Sequence, residues 1–258
     1  MSDQPLVQMV KISKSFGTVQ ALKDVDFDVR RQEVMGLVGD NGAGKSTLIK
    51  ILTGVYPPDS GEIYFEGKKV KVSSPKDARD LGIETVYQDL ALIPLMSISR
   101  NFFLGREPVK QFGPVRLLDK RKMDETVKEV LAEIGIRVRS PDEEVAILSG
   151  GERQSVAIGR AVYFGAKLLI LDEPTSALSI RETHKVLDYI LEAKGRGLSI
   201  VFITHNIYHV YSVADRFTIL EHGSKVAEFS KGEVSAEEII EIIRSGHQVA
   251  TDNNGGKS

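Results

Sequence analysis

Short apolar runs alternate with amphipathic stretches along most of this chain. Runs bounded by glycine or polar turn residues predict β-strands at residues 7–15, 19–29, 34–38, 61–65, 69–72, 83–87, 168–171, 199–203, 217–220 and 225–229. Helical periodicity predicts helices at residues 45–52, a short one from Pro75, and longer ones at 152–164, about 181–194 and 236–243. Strands that alternate with helices are typical of an α/β protein with a mainly parallel sheet.

Two regions depart from this alternation. The first two strands, joined by a turn at Phe16 and Gly17, predict an antiparallel β unit at the amino-terminal end. Residues 91–164 have a mainly helical pattern, broken by Pro108, Gly113, Pro114 and Pro141. This stretch is too long for one crossover connection, so it predicts an inserted helical lobe.

Composition excludes several classes of protein. The 258 residues contain no cysteine, which excludes disulfides and thiolate metal sites. With 34 basic and 36 acidic residues the net charge is −2, which gives no indication of nucleic-acid binding. The first residues do not form a signal peptide, and no apolar run approaches the ~20 residues that span a bilayer, so membrane association is expected to come through a partner. Residues 1–5 and 245–258 are polar and are expected to be flexible.

Residues 39–46 match the phosphate-binding pattern G-x-x-x-x-G-K-[ST]. The match lies between a predicted strand and a predicted helix, which is the context that the mechanism requires. Backbone N–H groups of the glycines are expected to surround phosphates, Lys45 to reach the β and γ phosphates, and Ser46 to offer its hydroxyl to Mg²⁺. A glycine-rich turn without a ligand is the alternative.

A buried strand ends in two carboxylates, Asp172 and Glu173. The carboxyl end of a parallel sheet is where ligands bind in this architecture. Beside a phosphate-binding loop we expect Asp172 to hold Mg²⁺ and Glu173 to orient or deprotonate the attacking water. Such an acidic pair on its own is commonly a helix N-cap.

A second anion-binding device lies at residues 148–154, which read LSGGERQ. Ser149 supplies a hydroxyl, and Gly150 and Gly151 leave backbone N–H groups unshielded. The helix that follows would direct the positive end of its dipole toward a bound anion.

Together these motifs resemble the ATP-binding subunit of an ABC transporter, over residues from about 6 to 244. Residues 39–46 are similar to the Walker A motif, 148–154 to the signature motif and 168–173 to Walker B. The resemblance implies a P-loop NTPase (RecA-like) core with a mainly parallel sheet, an N-terminal antiparallel β subdomain and an inserted α-helical subdomain at about 91–164.

The resemblance also implies roles for individual residues. Gln88 is similar to the Q-loop glutamine, which binds the metal or water, and His205 to the switch histidine, which contacts the γ-phosphate. Phe16 occupies the position where an aromatic ring stacks on adenine. The expected catalytic residues are Lys45, Gln88, Glu173 and His205, and the expected metal ligands are Ser46, Gln88 and Asp172. The expected ATP-binding residues are Phe16, Gly39, Asp40, Asn41, Gly42, Ala43, Gly44, Lys45, Ser46, Thr47, Ser149, Gly150, Gly151 and Gln154.

Partners follow from the same resemblance. In an ABC fold Ser149 lies well away from Lys45 of the same subunit, so the two anion-binding devices are expected to serve different ATP molecules in a homodimer. Residues 74–83, 87–94 and 101–107 resemble the class that imports simple sugars such as ribose, xylose or fructose, here as a single ATPase domain. This implies permease subunits, an extracytoplasmic substrate-binding protein and a place on the cytoplasmic face of the membrane. The apolar run at 90–96 is the expected permease contact, with Pro94, Leu95 and Met96 exposed.

One position departs from the family pattern. Ser179 stands where the D-loop most often has aspartate, which helps to couple the two ATP sites, so altered coupling is expected. Alternatives are an exporter or lipid-extraction ATPase, a soluble ABC protein of translation or DNA repair, and a non-catalytic nucleotide-binding regulator. An exporter or lipid-extraction ATPase shares every catalytic motif. A soluble ABC protein of translation usually has tandem ATPase domains, and one of DNA repair has a long coiled-coil insertion. Glu173 and His205 argue against a non-catalytic regulator.

Overall fold

The computed structural model describes residues 4–88, 90–133 and 140–245. Expectations for residues 1–3 and 246–258 lie outside the described residues. The strands are β1 Val7–Phe16, β2 Val19–Val29, β3 Val34–Val38, β4 Ser60–Phe65, β5 Lys68–Val70, β6 Ile83–Val86, β7 Val109–Phe112, β8 Val115–Leu118, β9 Leu168–Asp172, β10 Ser199–Ile203, β11 Arg216–Glu221 and β12 Ser224–Ser230. The helices are α1 Lys45–Leu52, α2 Pro75–Leu81, α3 Ile98–Phe103, α4 Lys120–Glu133, α5 Gly150–Tyr163, α6 Ile180–Gly195, α7 Ile207–Val213 and α8 Ala236–Ser245, with a 3₁₀ turn at Val145–Ile147.

A six-stranded sheet forms the centre of the molecule, in the order β12-β11-β3-β10-β9-β6. Its strands are parallel except for the β11–β12 pair, which is antiparallel. Both faces are buried: Val34 and Val38 of β3 pack on one side, and Met35 and Leu37 on the other. The predicted α/β core is therefore confirmed, and the continuous apolar runs are explained by burial on two faces.

A separate antiparallel sheet, in the order β2-β1-β4-β5, covers one side of this core. Its buried side chains join the cluster that contains α1. The predicted N-terminal β unit is therefore present.

The helical segments between β6 and β9 have their own apolar cluster. It is built by α3, α4, the 3₁₀ turn and α5, with members such as Phe102, Met123, Leu131 and Val156. Leu148 of the signature motif belongs to it and is 7% exposed. The start of α5 is thus anchored in this lobe by a buried leucine.

Two elements depart from the sequence expectations. The helical pattern of residues 91–164 predicts no strand, but β7 and β8 form an antiparallel hairpin around Gly113 and Pro114. All eight strand residues are exposed, so no buried face imposes an alternating pattern on them. The short helix α7, which Asn206 caps by accepting the His209 N–H, is also absent from the predicted elements.

The apolar run at 90–96 is partly exposed, as expected. Leu95 is 79% exposed and Pro94 is exposed, whereas Met96 is half-buried, so that part of the expectation is wrong. Ile93 is exposed instead. In the parts of the chain that the structure describes, no helix combines the length and the apolar character needed to cross a membrane.

Candidate nucleotide site

The loop between β3 and α1 is shaped by glycines with left-handed backbone conformations. Gly44, which precedes α1, has φ 104°, and a Cβ atom there would lie 2.9 Å from the carbonyl oxygen of Ala21. At Gly39, with φ 143°, a Cβ atom would lie 2.1 Å from the carbonyl oxygen of Leu220. Only glycine fits these two positions, and the sharp loop that they form leads directly into the N-terminus of α1, where an anion is favoured.

Lys45 begins α1 and folds back over this loop. Its Nζ donates hydrogen bonds to the carbonyl oxygens of Gly39 at 2.6 Å and Asp40 at 2.9 Å. The side chain is 9% exposed, and burial lowers its pKa while Glu173, Asp40 and Asp172 act in the opposite direction. A buried ammonium group whose nearest partners are neutral carbonyl oxygens is well placed to donate hydrogen bonds to a phosphate.

A cavity of about 520 Å³ opens above the loop. Its lining includes Val19, Gln20, Ala21, Asn41, Gly42, Ala43, Gly44, Lys45, Ser46, Thr47, Gln88, Asp172, Glu173, Ile203 and His205. The structure thus brings together most of the predicted Walker A residues with the predicted Q-loop, Walker B and switch residues. The volume lies within the range typical of small-molecule sites.

Glu173 is fixed in a specific orientation at the end of β9. Its Oε2 accepts a hydrogen bond from the Thr204 hydroxyl at 3.0 Å, and its Oε1 accepts the His205 backbone N–H at 3.0 Å. His205 Nδ1 lies 2.8 Å from the same Oε1. An ionised Glu173 carboxylate only accepts hydrogen bonds, so in that state His205 Nδ1 is the donor of this pair.

Asp172 and Glu173 bring two carboxyl groups to the cavity that also contains Lys45. Burial raises the pKa of Asp172, and the neighbouring Glu173 charge raises it further, while Lys45 and Lys50 lower it. Oxygen donors from Ser46, Gln88 and Asp172 line the same cavity. They fit Mg²⁺, which proteins commonly hold with one or two carboxylates together with substrate phosphates. Within the described ranges no group of three or more His, Cys, Asp or Glu side chains is suited to hold a metal alone.

The signature residues do not line this cavity. Ser149 caps α5, and Gly150 and Gly151 form its first turn. A Cβ atom on Gly150 would lie 2.9 Å from Leu178 Cδ2, so the motif packs against the segment that leads into α6. Gln154 lies one turn further into α5 and is 5% exposed.

Phe16, Gly39 and Asp40 also lie outside the lining. The Phe16 ring is 42% exposed and meets Tyr56 edge-on, with 5.1 Å between ring centroids. Val19, Gln20 and Ala21, just beyond the turn after Phe16, reach the cavity instead.

Thr204 is a site residue that the sequence interpretation missed. It is 1% exposed and binds Glu173 through its hydroxyl. Its position between the last residue of β10 and His205 was the one sequence feature that could have indicated a role at the site. A lone threonine at a strand end, however, has no distinctive pattern.

Known proteins share both the sequence and the fold. The model of the ABC transporter family matches residues 22–176. The xylose/arabinose import ATP-binding protein of Sulfolobus acidocaldarius is 49% identical over 95% of each chain. The fructose import ATP-binding protein of Rhizobium meliloti is 45% identical over 88% of each chain. The chain spans about half the length of another relative, the ribose import ATP-binding protein of Caldanaerobacter subterraneus, with 38% identity over 93% of the present chain.

Solved structures agree with these relatives. A nucleotide-free ATP-binding cassette from an ABC transporter superposes with a TM-score of 0.80 at 26% identity, covering 94% of this chain and 96% of that one. The ADP conformation of another ABC transporter cassette gives a TM-score of 0.79 at 26% identity over 93% of this chain and 95% of that one. Family, fold and site agree, and the chain therefore belongs to the ABC transporter family as an ATP-binding subunit with ATPase activity.

Proposed function

We propose that two copies of this chain bind two ATP molecules between them and energise the import of a simple sugar through permease subunits. The separation of the two anion-binding devices carries this proposal: the nucleotide cavity contains Lys45 but none of the signature residues. Ser149 and Gly151 would then complete the γ-phosphate site of a second copy. A bacterial ABC transporter cassette that was solved as a dimer shares this fold.

Each chain supplies most of the chemistry for one ATP. The Walker A N–H groups and Lys45 bind and orient the phosphates, and Glu173 orients the attacking water and takes its proton. His205, which contacts the same carboxylate and lines the same cavity, would contact the γ-phosphate. Ser46, Asp172 and Gln88 would hold a magnesium ion, which would supply positive charge to neutralise the phosphates. Developing negative charge is thereby balanced by groups already in position.

A second cavity, of about 380 Å³, is the proposed permease contact. It is lined by apolar residues of the 90–92 segment and by Tyr87, Phe164, Arg106 and Arg160. Tyr87 lines this cavity and the adjacent Gln88 lines the nucleotide cavity. One short segment therefore links the two cavities, and a movement of the permease would be transmitted to Gln88.

The sugar assignment rests on the names of the relatives, which import xylose or arabinose, fructose, and ribose. An extracytoplasmic substrate-binding protein and a place at the cytoplasmic face of the membrane belong to the same proposal. Growth of a deletion strain on each of these sugars as the sole carbon source tests it. A strain rescued by the wild-type gene but not by Glu173→Gln supports the proposal, and normal growth of the deletion strain on all of them contradicts it.

Shared sites are tested by mixing Lys45→Ala subunits with Ser149→Arg subunits. Random pairing makes about half of the dimers mixed, and each mixed dimer keeps one site with both Lys45 and Ser149 intact. We expect ATPase activity well above the sum of the two separate proteins. A chain that carries both substitutions is the control, because its homodimers have no intact pair. If the mixture is no more active than its parts, the shared site is wrong.

A further inference from the structure

The N-terminus of α5, which holds the signature motif, already carries two carboxylates of its own chain. Glu152 Oε2 accepts the Ser149 N–H at 2.8 Å, and Ser149 Oγ accepts the Glu152 N–H at 3.3 Å, which completes a capping box. Glu182, from α6, accepts the Gly151 N–H at 3.3 Å through Oε1. The Gly151 N–H is therefore not free for an external anion in this structure.

Glu182 is held in this position by Ser179, the residue that departs from the family pattern. Glu182 Oε2 accepts the Ser179 hydroxyl at 2.7 Å and the Ser179 backbone N–H at 3.1 Å. An aspartate at position 179 could not donate through an ionised side chain and would repel Glu182. The serine therefore favours a carboxylate that bridges the D-loop and the signature helix.

Close packing of the two helices allows this bridge. A Cβ atom on Gly151 would lie 3.0 Å from Glu182 Cβ, so the absence of a side chain at the second glycine of the motif allows the close approach of α6. Hydrogen bonds from the Ser179 side chain, the Ser179 backbone, Gly151 and Ser149 lower the pKa of Glu182 to about 2. A full negative charge thus lies at the positive end of α5 at neutral pH.

We propose that Glu182 is an internal acceptor for the signature motif, which occupies the Gly151 N–H in the free subunit and is exchanged for the γ-phosphate of the partner's ATP when two subunits close. This inference rests on the proposed shared site. A backbone N–H has one hydrogen, and two anions at one helix end repel each other. The carboxylate must therefore withdraw before phosphate binds, and closure requires more ATP than it would without Glu182.

The test measures ATP-dependent dimerisation by analytical ultracentrifugation, with Mg²⁺ present and in a Glu173→Gln background so that ATP is not consumed. Glu182→Gln keeps the capping box, because glutamine is also suited to the third helical position, but removes the charge. Glu182→Asp keeps the charge but is one methylene too short to bridge Ser179 and Gly151. Asp188→Asn, which removes one exposed charge from the same helix, is the matched control.

We expect both Glu182 variants to lower the ATP concentration at half-dimerisation at least threefold, with Asp188→Asn unchanged. An unchanged or higher value for Glu182→Gln overturns the inference, and so does a shift in Glu182→Gln without one in Glu182→Asp, because charge alone would then be responsible. Thermal unfolding followed by circular dichroism shows that each variant is folded. If the Glu173→Gln protein itself forms no dimer at any ATP concentration, the proposed function fails. If it forms a dimer and the Glu182 variants do not shift the ATP concentration, only the present inference fails.

Discussion

Glu173 and His205 are joined twice, because one carboxylate oxygen accepts the backbone N–H of His205 at 3.0 Å and lies 2.8 Å from its Nδ1. They follow two neighbouring parallel strands whose register pairs Asp172 with Ile203. Glu173 has φ 51°, a left-handed conformation that is uncommon for residues other than glycine. Its N–H donates to the Ile203 carbonyl at 2.9 Å, so the sheet edge holds this conformation in place.

Replacement of Glu173 by glutamine should abolish hydrolysis and leave ATP binding intact. Glutamine cannot take a proton from water, and general base catalysis contributes about 10²–10⁴-fold to a rate. We expect kcat to fall at least a hundredfold in steady-state assays, with little change in the Kd for ATP. Glu125→Gln, an exposed carboxylate on α4, is the control. A wild-type protein that hydrolyses ATP no faster than Glu173→Gln would show that this site is not catalytic.

Thr204→Val should lower kcat more than it changes the KM for ATP. Valine has nearly the same shape but cannot donate to Glu173 Oε2, so the carboxylate loses one of the bonds that orient it. We expect about a tenfold loss of kcat, on the scale of one charge-assisted hydrogen bond. Thr218→Val removes another fully buried hydroxyl, which is bonded to Met35 Sδ and does not line the cavity. Equal losses in the two variants would mean that Thr204 acts only through stability.

Phe16→Ala tests the predicted adenine contact. If the half-exposed ring stacks on adenine, the KM for ATP should rise at least about fivefold, because base–aromatic stacking contributes about 1–3 kcal/mol. Phe16→Tyr should restore the wild-type value. Phe112→Ala on the β7–β8 hairpin removes a ring that is 62% exposed and serves as the control. An unchanged KM in Phe16→Ala would assign the ring to its contact with Tyr56 instead.

The sequence predicts the buried parts of the fold well and the exposed hairpin poorly. Strands such as β3, β9 and β10 are apolar throughout because both faces of their sheet are covered. Strands β7 and β8 pack against no core, so only turn signals at Gly113 and Pro114 remained, and those are equally typical of a break between helices.

The nucleotide site also has parts that the sequence predicts and contacts that it does not. Lys45, Asp172 and His205 lie at ends of predicted strands or helices, which allowed their convergence to be predicted. The contact between Glu182 and Gly151 joins residues 31 positions apart. It depends on how closely two helices pack, and a local pattern contains no such information.

A buried arginine far from the nucleotide site ties three acidic residues together. Arg216, which is 5% exposed, lies 2.6 Å from Asp28, 3.1 Å from Glu33 and 3.3 Å from Glu228. Burial raises the pKa of Glu33, although the Arg30 backbone N–H and the Arg216 charge lower it. The positive charge of Arg216 thus lowers the free energy that is needed to ionise the buried Glu33.

Arg216→Met should therefore destabilise the protein more at high pH than at low pH. A carboxyl group whose pKa is raised on folding binds more protons in the folded state, so the free energy of unfolding falls as pH rises from the ordinary pKa through the raised one. Loss of Arg216 raises the pKa of Glu33 further and extends that window upward. We expect a loss of about 3–5 kcal/mol at pH 8, as for other broken buried ion pairs, and a clearly smaller loss at pH 5, because that pH is closer to the range in which Glu33 is protonated and uncharged. Urea unfolding at the two pH values measures both losses.

The Arg216→Met/Glu33→Gln double variant is the control, and the pH dependence of its loss should be smaller. An equal loss at both pH values in the single variant would show that packing of the arginine, and not its charge, stabilises this region.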